Sequence, residues 1–353
     1  MNVSVIIPVY NGEKFIEKAI SSCLQLSEVK EIVLVDDGYK DRAKEIIQEL
    51  AGKHPIIKLY EHPNNENRGA GASRNLGIEK ATQEYIAFLD ADDFFLPNRF
   101  AKDKEVLQRH PDADGCYNAI GCFFYSDTAK DIFFKHFKSE ITTVNLLANP
   151  TPENLFRGRI GLIPDFGHFS LDGLTVNRNC ILSNKLTFPI SSMHEDTAFI
   201  IKLAYYARLY PSELTIPVTL RGVHEQNRIT ENYQSNRIKQ YHNQFKLWNQ
   251  LYDWSVEESI GKTETNYLRK IANFYRLLSS RSPKPKELIK EILSHPRLLF
   301  NDYYPQLHTT YFGNSLIASF LLRVRNDLTQ LLTKLLKKHN KSVSNNKDFE
   351  KTK

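Results

Sequence analysis

The chain reads as an α/β protein, a mostly parallel sheet flanked by helices, on three observations. Over the first 120 residues short apolar runs alternate with stretches of helical periodicity, the pattern of parallel strands joined by helical crossovers. Three apolar runs end in polar motifs, Pro8-Val9-Tyr10-Asn11, Asp36-Asp37-Gly38 and Asp90-Ala91-Asp92-Asp93, and open α/β sheets bind ligands outside the carboxyl ends of their strands. No internal repeat is present, and no run reaches the roughly 18 apolar residues of a membrane span.

The elements follow in order. Val3-Ser4-Val5-Ile6-Ile7 is a strand stopped by Pro8, and Asn11-Gly12 is a turn. Glu13 to about Leu26 is helical, with Phe15, Ile16, Ala19, Ile20 and Cys23 on one face. Ile32-Val33-Leu34-Val35 is a buried strand, a helix spans about 41–51, and Ile56 to Tyr60 is a short strand. An Asn-rich loop from Glu61 to Gly69 leads into a helix near 70–81. Tyr85-Ile86-Ala87-Phe88-Leu89 is the strand that carries the carboxylates. The next helix starts near Pro97, which suits a first helical position. Residues 116–138 suggest a hairpin, with arms at Gly121-Cys122-Phe123-Phe124-Tyr125 and Ile132-Phe133-Phe134. Residues 145–175 are loop and short helix, a helix runs from about Asp196 to Tyr206, and from about 235 the pattern is helical and polar, broken by Pro-Lys-Pro at 283–285.

Composition narrows the class. The chain has 353 residues, 41% hydrophobic and 25% charged, ordinary values for a globular protein. Four scattered cysteines, Cys23, Cys116, Cys122 and Cys180, have no zinc spacing and read as reduced thiols in a cytosolic protein. The formal charge is +6, and residues 315–353 hold nine Lys/Arg against three acids. The excess therefore lies in the tail, which argues against a nucleic-acid-binding face on the rest of the chain.

Asp90 and Asp92 share a face if their strand continues that far, and paired carboxylates suit a hard cation such as Mg²⁺ or Mn²⁺. Glu195-Asp196 is a second acidic pair, placed where the dipole of the following helix favours acids.

The segments Val3 to Gly12, Val35-Asp36-Asp37-Gly38, Gly71-Ala72-Ser73-Arg74-Asn75 and Phe88 to Asp93 resemble, in order and spacing, the family 2 glycosyltransferases with a GT-A fold. The match is strong over residues 3–100, and His194-Glu195-Asp196 extends it to about 225. The resemblance implies a UDP-sugar donor, a divalent metal (Mn²⁺ or Mg²⁺) and inversion at the anomeric carbon. It implies a nucleotide site containing Pro8, Tyr10, Asn11, Asp36, Asp37, Arg74, Asp90 and Ala91. Tyr10 is either a nucleobase platform or a packing residue, and Asp36 or Asp37 accepts the uracil imide proton, Asp36 being slightly favoured. Arg74, with Arg68 a weaker candidate, meets phosphate near a helix start. Asp92 binds the metal, with His224 reaching it or the diphosphate, and Asp196 is the general base. Asp93 reads as a helix N-cap.

Two departures from the family matter. Tyr39-Lys40-Asp41 stands where Ser-x-Asp is usual. The Gln-x-x-Arg-Trp motif of processive synthases is absent; the nearest string, Gln244-Phe245-Lys246-Leu247-Trp248, has another spacing. Transfer of one sugar to a glycan or lipid-linked acceptor is expected, as in surface polysaccharide synthesis. The competing classes are a sugar-phosphate nucleotidyltransferase and an inactive nucleotide-sugar-binding protein. The expected organisation is a catalytic domain over 1–230 (nucleotide half 1–110, acceptor half 111–230), a helical extension over 231–340 and a disordered tail over 341–353. Leucines at helical spacing within 315–340, flanked by Arg323, Arg325, Lys334, Lys337 and Lys338, form a basic amphipathic helix. It lies on an anionic membrane, on the catalytic domain or on a partner subunit. The expected location is cytoplasmic, with peripheral contact at the inner membrane face; the sequence leaves the oligomeric state open.

Overall fold

The computed structural model describes residues 1–279, apart from residue 39 and residues 135–149, 164–165, 167, 191–192 and 228–236. The described residues belong to one compact unit, Met1–Ser279. The expected Pro-Lys-Pro break, the basic amphipathic helix and the tail lie outside them. Among the described residues no helix is long and apolar enough to cross a membrane.

The first half winds as the apolar runs predict. Strand β1 (Val3–Val9), helix α1 (Ile16–Leu24), β2 (Val29–Asp36), α2 (Ala43–Lys53), β3 (Ile57–Glu61), α3 (Ala70–Lys80) and β4 (Tyr85–Phe88) follow one another. β1 pairs in parallel with β2 and with β4, and β2 with β3. Period-two alternation sends Val5, Ile7 and Val9 to one face, against Ile16, Ala19, Ile20 and Cys23 of α1. Ile6, Val33 and Val35 enter a second core on the opposite face, with Ile78 of α3.

Pro8 lies inside β1 rather than ending it, opposite Val35. Asp37 N–H donates to the carbonyl of Val9, so Val9 faces β2, and Leu89 N–H donates to Ile6, so Ile6 faces β4. Pro8 shares the orientation of Ile6, but the β4 ladder stops at Ile6 opposite Phe88. A missing N–H costs nothing there.

Next come β5 (Phe94–Phe95), α4 (Ala101–Arg109), β6 (Gly115–Tyr117), β7 (Ile120–Phe124), α5 (Asp127–Phe134), α6 (Pro152–Arg159), β8 (Leu174–Asn177), α7 (Arg178–Ser183), α8 (Glu195–Tyr206), β9 (Leu209–Pro211) and β10 (Thr219–Val223). The large sheet has the order β3-β2-β1-β4-β8-β6-β9, mostly parallel with β8 antiparallel to both neighbours. A second sheet, β5-β10-β7, pairs Phe95 with Thr219 and Phe94 with Leu220 in antiparallel register.

Two expectations change. The expected hairpin arms at 121–125 and 132–134 do not pair: β7 pairs in parallel with β10, and the chain then turns helical over Asp127–Phe134. Ser126 Oγ accepts the Ala129 N–H at 3.0 Å, a helix cap, and Ala129 and Phe133 bury the apolar face. Helix α4 starts at Ala101, four residues after Pro97, because Arg99 turns inward. Its buried guanidinium donates to Leu174 O (2.9 Å) and Thr175 Oγ1 (3.1 Å) and pairs with Asp103.

Helices α9 (Arg237–Glu257) and α10 (Lys262–Ser279) close the described chain. Leu247, Leu251 and Trp254 of α9 and Leu268 of α10 join the core that holds Phe199 and Ile201 of α8.

Candidate active site

Strand order reverses between β1, which is followed by the outward excursion to β2 and β3, and β4 on its other side. Such a switch point leaves a crevice at the carboxyl ends of the strands, and the polar motifs meet there.

Beyond β4, Asp92 Oδ2 lies 3.2 Å from His224 Nε2 and accepts the Asn227 side-chain N–H at 2.8 Å. Asp92 and His224 are 132 residues apart in sequence. Strand β10 brings them together. Gly222 makes this approach possible, since a Cβ there would sit 2.0 Å from the Asp92 carbonyl oxygen. His224 is stacked on Phe15 at 4.6 Å between ring centroids, and Tyr125 packs against both rings, 4.8 Å from Phe15 and edge-on to His224 at 6.2 Å. Burial, with the nearby charges of Asp92 and Asp93, pushes the Tyr125 hydroxyl up to about 12.

Asp93 is not a helix cap: β5 follows it directly. Its Oδ1 accepts the Gly222 N–H at 2.8 Å, which ties the small sheet to the Asp90–Asp93 loop. Its Oδ2 is buried without a hydrogen-bond partner among the described residues. Asp90, Asp93 and Asp172 form an acidic cluster whose carboxylate oxygens lie within 4.8 Å of one another. Burial, then Asp172, Asp92 and Asp90, raise the Asp93 pKa well above the carboxylate range. Burial and Asp90 push Asp172 up to about 6, against the opposing pull of Arg221 and Arg74. Arg221 lies 3.7 Å from Asp172 and donates to Ser170 Oγ at 3.0 Å.

At the nucleotide end, Tyr10 is 49% exposed just past β1. Asn11 takes a left-handed turn (φ 51) and accepts the Lys40 N–H at 2.9 Å. Ala91 lies across from Gly12, whose added Cβ would sit 3.6 Å away. Asp36 is buried and accepts the Gly38 N–H at 2.7 Å. Asp37 accepts the N–H groups of Arg68 (2.7 Å) and Gly69 (2.9 Å), so it anchors the loop before α3. The Arg68 side chain points to Glu66 at 3.3 Å.

Arg74 is buried and forked between two carboxylates, Asp90 at 2.6 Å and Glu195 at 3.2 Å. Burial pulls the guanidinium pKa down, but Asp90 and Glu195 outweigh it and hold it above its ordinary value. Gly71 lets α3 come this close to Pro189 and to the start of α8, since a Cβ there would meet Pro189 O at 2.5 Å and the Glu195 side chain at 3.4 Å. Asp196 follows in the first turn of α8, where its Oδ1 accepts the Thr197 N–H at 2.7 Å. His194 precedes the helix in a left-handed conformation (φ 63).

Of the sequence-derived residues, the structure brings Asp92 to His224, and Asp90 and Arg74 to Glu195 beside Asp196; Pro8, Tyr10, Asn11, Asp36 and Asp37 stand at the carboxyl ends of β1 and β2. Asp172, Arg221 and Asn227 join them unforeseen. Asn227 stands three residues after His224, and an amide at that offset was the available signal; Asp172, in a short apolar stretch, carried only the oddity of a buried acid.

An α/β unit of this topology with acids at its switch point is a GT-A fold, which the comparisons bear out. The profile described as Glycosyl transferase family 2 matches residues 4–162, so that stretch is a family 2 glycosyltransferase domain. An uncharacterized glycosyltransferase of Haemophilus influenzae is 42% identical over 110 residues, 31% of this chain and 43% of the relative. The uncharacterized glycosyltransferase EpsJ of Bacillus subtilis is 36% identical over 129 residues, 36% of this chain and 35% of the relative. The chain thus spans less than half the length of these curated relatives. Residues 1–349 of S. aureus TarS, solved in complex with UDP-GlcNAc, superpose with a TM-score of 0.55 at 20% identity, over 86% of this chain and 75% of that one. That likeness establishes the fold.

Proposed function

We propose that the protein is an inverting, metal-dependent glycosyltransferase that moves one sugar from a UDP-sugar to a hydroxyl of a glycan or lipid-linked acceptor. The observation that carries the reading is the Asp92–His224 couple at 3.2 Å on one side of the crevice, joined through the Asp90–Arg74–Glu195 bridge to Asp196 on the other. The UDP-GlcNAc held by TarS supports a uridine nucleotide sugar.

The couple fits a divalent ion. Neighbouring ligand atoms of an octahedral ion bound at about 2.1 Å sit roughly 3 Å apart; the carboxylate oxygen suits a hard cation such as Mn²⁺ or Mg²⁺, and the imidazole nitrogen is the softer donor of the pair. The Asp90–Asp93–Asp172 cluster fits less well. Asp90 is held by Arg74, and Asp93 Oδ1 is taken by the Gly222 N–H. When bound, the ion stabilises charge on the leaving diphosphate. Asp92 and His224 would hold it, with Asn227 orienting the carboxylate.

Tyr10 stacks on the base and Asp36 meets the uracil imide at the end of β2. Arg74 acts by fixing Asp90 and Glu195; this assigns it a bridging task in place of direct phosphate contact. Asp196 takes the acceptor hydroxyl proton, the acceptor oxygen bonds to the anomeric carbon, and the bond to the β-phosphate oxygen breaks with UDP taking the electron pair. One displacement inverts the centre. In domain terms, 1–110 binds nucleotide and 111–230 shapes the acceptor side.

UDP release from a panel of UDP-hexoses, with Mn²⁺, Mg²⁺ or EDTA, tests the reading. Metal-dependent release that Asp196→Asn abolishes while UDP still binds is the expected result. Pyrophosphate release from UTP and a sugar phosphate would point instead to nucleotidyl transfer.

A further inference from the structure

Helix α9 lies beyond every residue assigned to the site so far, yet it touches the turn that carries the proposed base. Gln244 Nε2 is 3.1 Å from His194 Nε2, and the Trp248 indole N–H donates to Gln244 Oε1 at 3.0 Å. Gln244 and Trp248 are one helical turn apart and share a face.

The hydrogen bonds fix each group in turn. An indole N–H only donates, so the atom it meets must be the amide oxygen. That orients the Gln244 amide and turns its NH₂ toward His194. His194 Nε2 must then accept, which places the ring proton on Nδ1. Burial lowers the His194 pKa against the pull of Asp196 and Glu195, in keeping with a neutral ring. His194 also needs an external hold, because it adopts a left-handed conformation that side chains other than glycine disfavour. Its carbonyl accepts the Ala198 N–H at 3.1 Å, so this strained residue starts the helix on which Asp196 sits.

We propose that Gln244, oriented by Trp248, is a positioning residue that holds His194 as its Nδ1–H tautomer in the left-handed turn and thereby aims Asp196 at the acceptor. The proposal rests on reading Asp196 as the general base. It makes α9 part of the active site, through a Gln and a Trp whose spacing is unlike that of the processive-synthase motif.

The test uses the full chain. Gln244→Glu can still accept from Trp248 but cannot donate to His194 Nε2; Gln244→Met keeps the shape and removes both bonds. ¹⁵N NMR of the imidazole, assigned with His194→Asn, should show the Nδ1–H tautomer in the wild type and its loss in Gln244→Glu. UDP release from a mixture of UDP-glucose, UDP-galactose, UDP-GlcNAc and UDP-GalNAc with Mn²⁺ should fall at least tenfold in kcat in both variants. Donor KM and UDP affinity by calorimetry should stay within twofold. An Nε2–H tautomer in the wild type overturns the proposal whatever the turnover. So does wild-type kcat in both Gln244 variants while Asp196→Asn is inactive. Wild-type turnover in Asp196→Asn instead removes the base assignment itself, a different failure.

Discussion

Arg74 Nη1 lies 3.2 Å from Glu195 Oε1, although 121 positions separate the two residues. One helix belongs to the nucleotide half and the other carries Asp196, so this contact sets how the two acidic motifs face each other. Its second branch, to Asp90 at 2.6 Å, continues the link to the loop that bears Asp92.

Replacing Arg74 should therefore injure both stability and turnover. Arg74→Ala leaves buried Glu195 without its cation, and breaking such a pair costs about 3–5 kcal/mol. Denaturant unfolding measures it. Arg74→Lys keeps the charge but not the fork, and should retain more stability than activity.

Asn227→Ala should weaken metal use without removing a proposed ligand. Partners that orient a ligand typically contribute 10–100-fold in metal affinity or activity. The Mn²⁺ concentration giving half-maximal UDP release should rise by about that factor, while UDP affinity in the absence of metal stays unchanged.

Gly222→Ala should push β10 away from the Asp90–Asp93 loop, because the added carbon would sit 2.0 Å from the Asp92 carbonyl. Overpacking of this kind costs about 1–3 kcal/mol. Thermal unfolding should register the loss, with a larger fall in turnover than in UDP binding.

Asp172 imposes a pH dependence on stability. Its folded pKa, about 6, lies above the 3.8 of the free group, so between these values the folded state binds more protons than the unfolded one. Stability is full below the lower value and falls as pH rises through the upper. Asp172→Asn should reduce the fall of unfolding free energy between about pH 4 and 7 by an amount on the order of 2–3 kcal/mol, the remainder belonging to Asp93, whose pKa is raised too. Urea melts across that range check it.

The nucleotide half was legible because its signals are local. Short apolar runs rich in β-branched residues, such as Ile32 to Val35, read as buried strands, and acids at strand ends stand out. Glu195-Asp196 was legible as a helix start. Asp93 was misread because Pro97 suggested a helix, while what organises Asp93 is the pairing of β5 with β10, over a hundred residues away. Asp172, Arg221 and Asn227 were hidden for the same reason: their partners come from other elements. The run Ile132-Phe133-Phe134 suggests a strand by its aromatic content, and the Ser126 cap is what makes the segment helical instead.

The pairing of Phe95 with Thr219 and Phe94 with Leu220 carried forward sets Asp92 opposite Gly222, two positions before His224. The gap between carboxylate and imidazole is thus measured off in ladder rungs. Side-chain changes along β5 and β10 at positions other than Gly222, where an added Cβ would meet the Asp92 carbonyl, leave that ruler intact. Inserting or deleting a single residue between Thr219 and His224 would turn the imidazole to the other side of the strand, so this short stretch is far less tolerant of changes in length than of changes in composition.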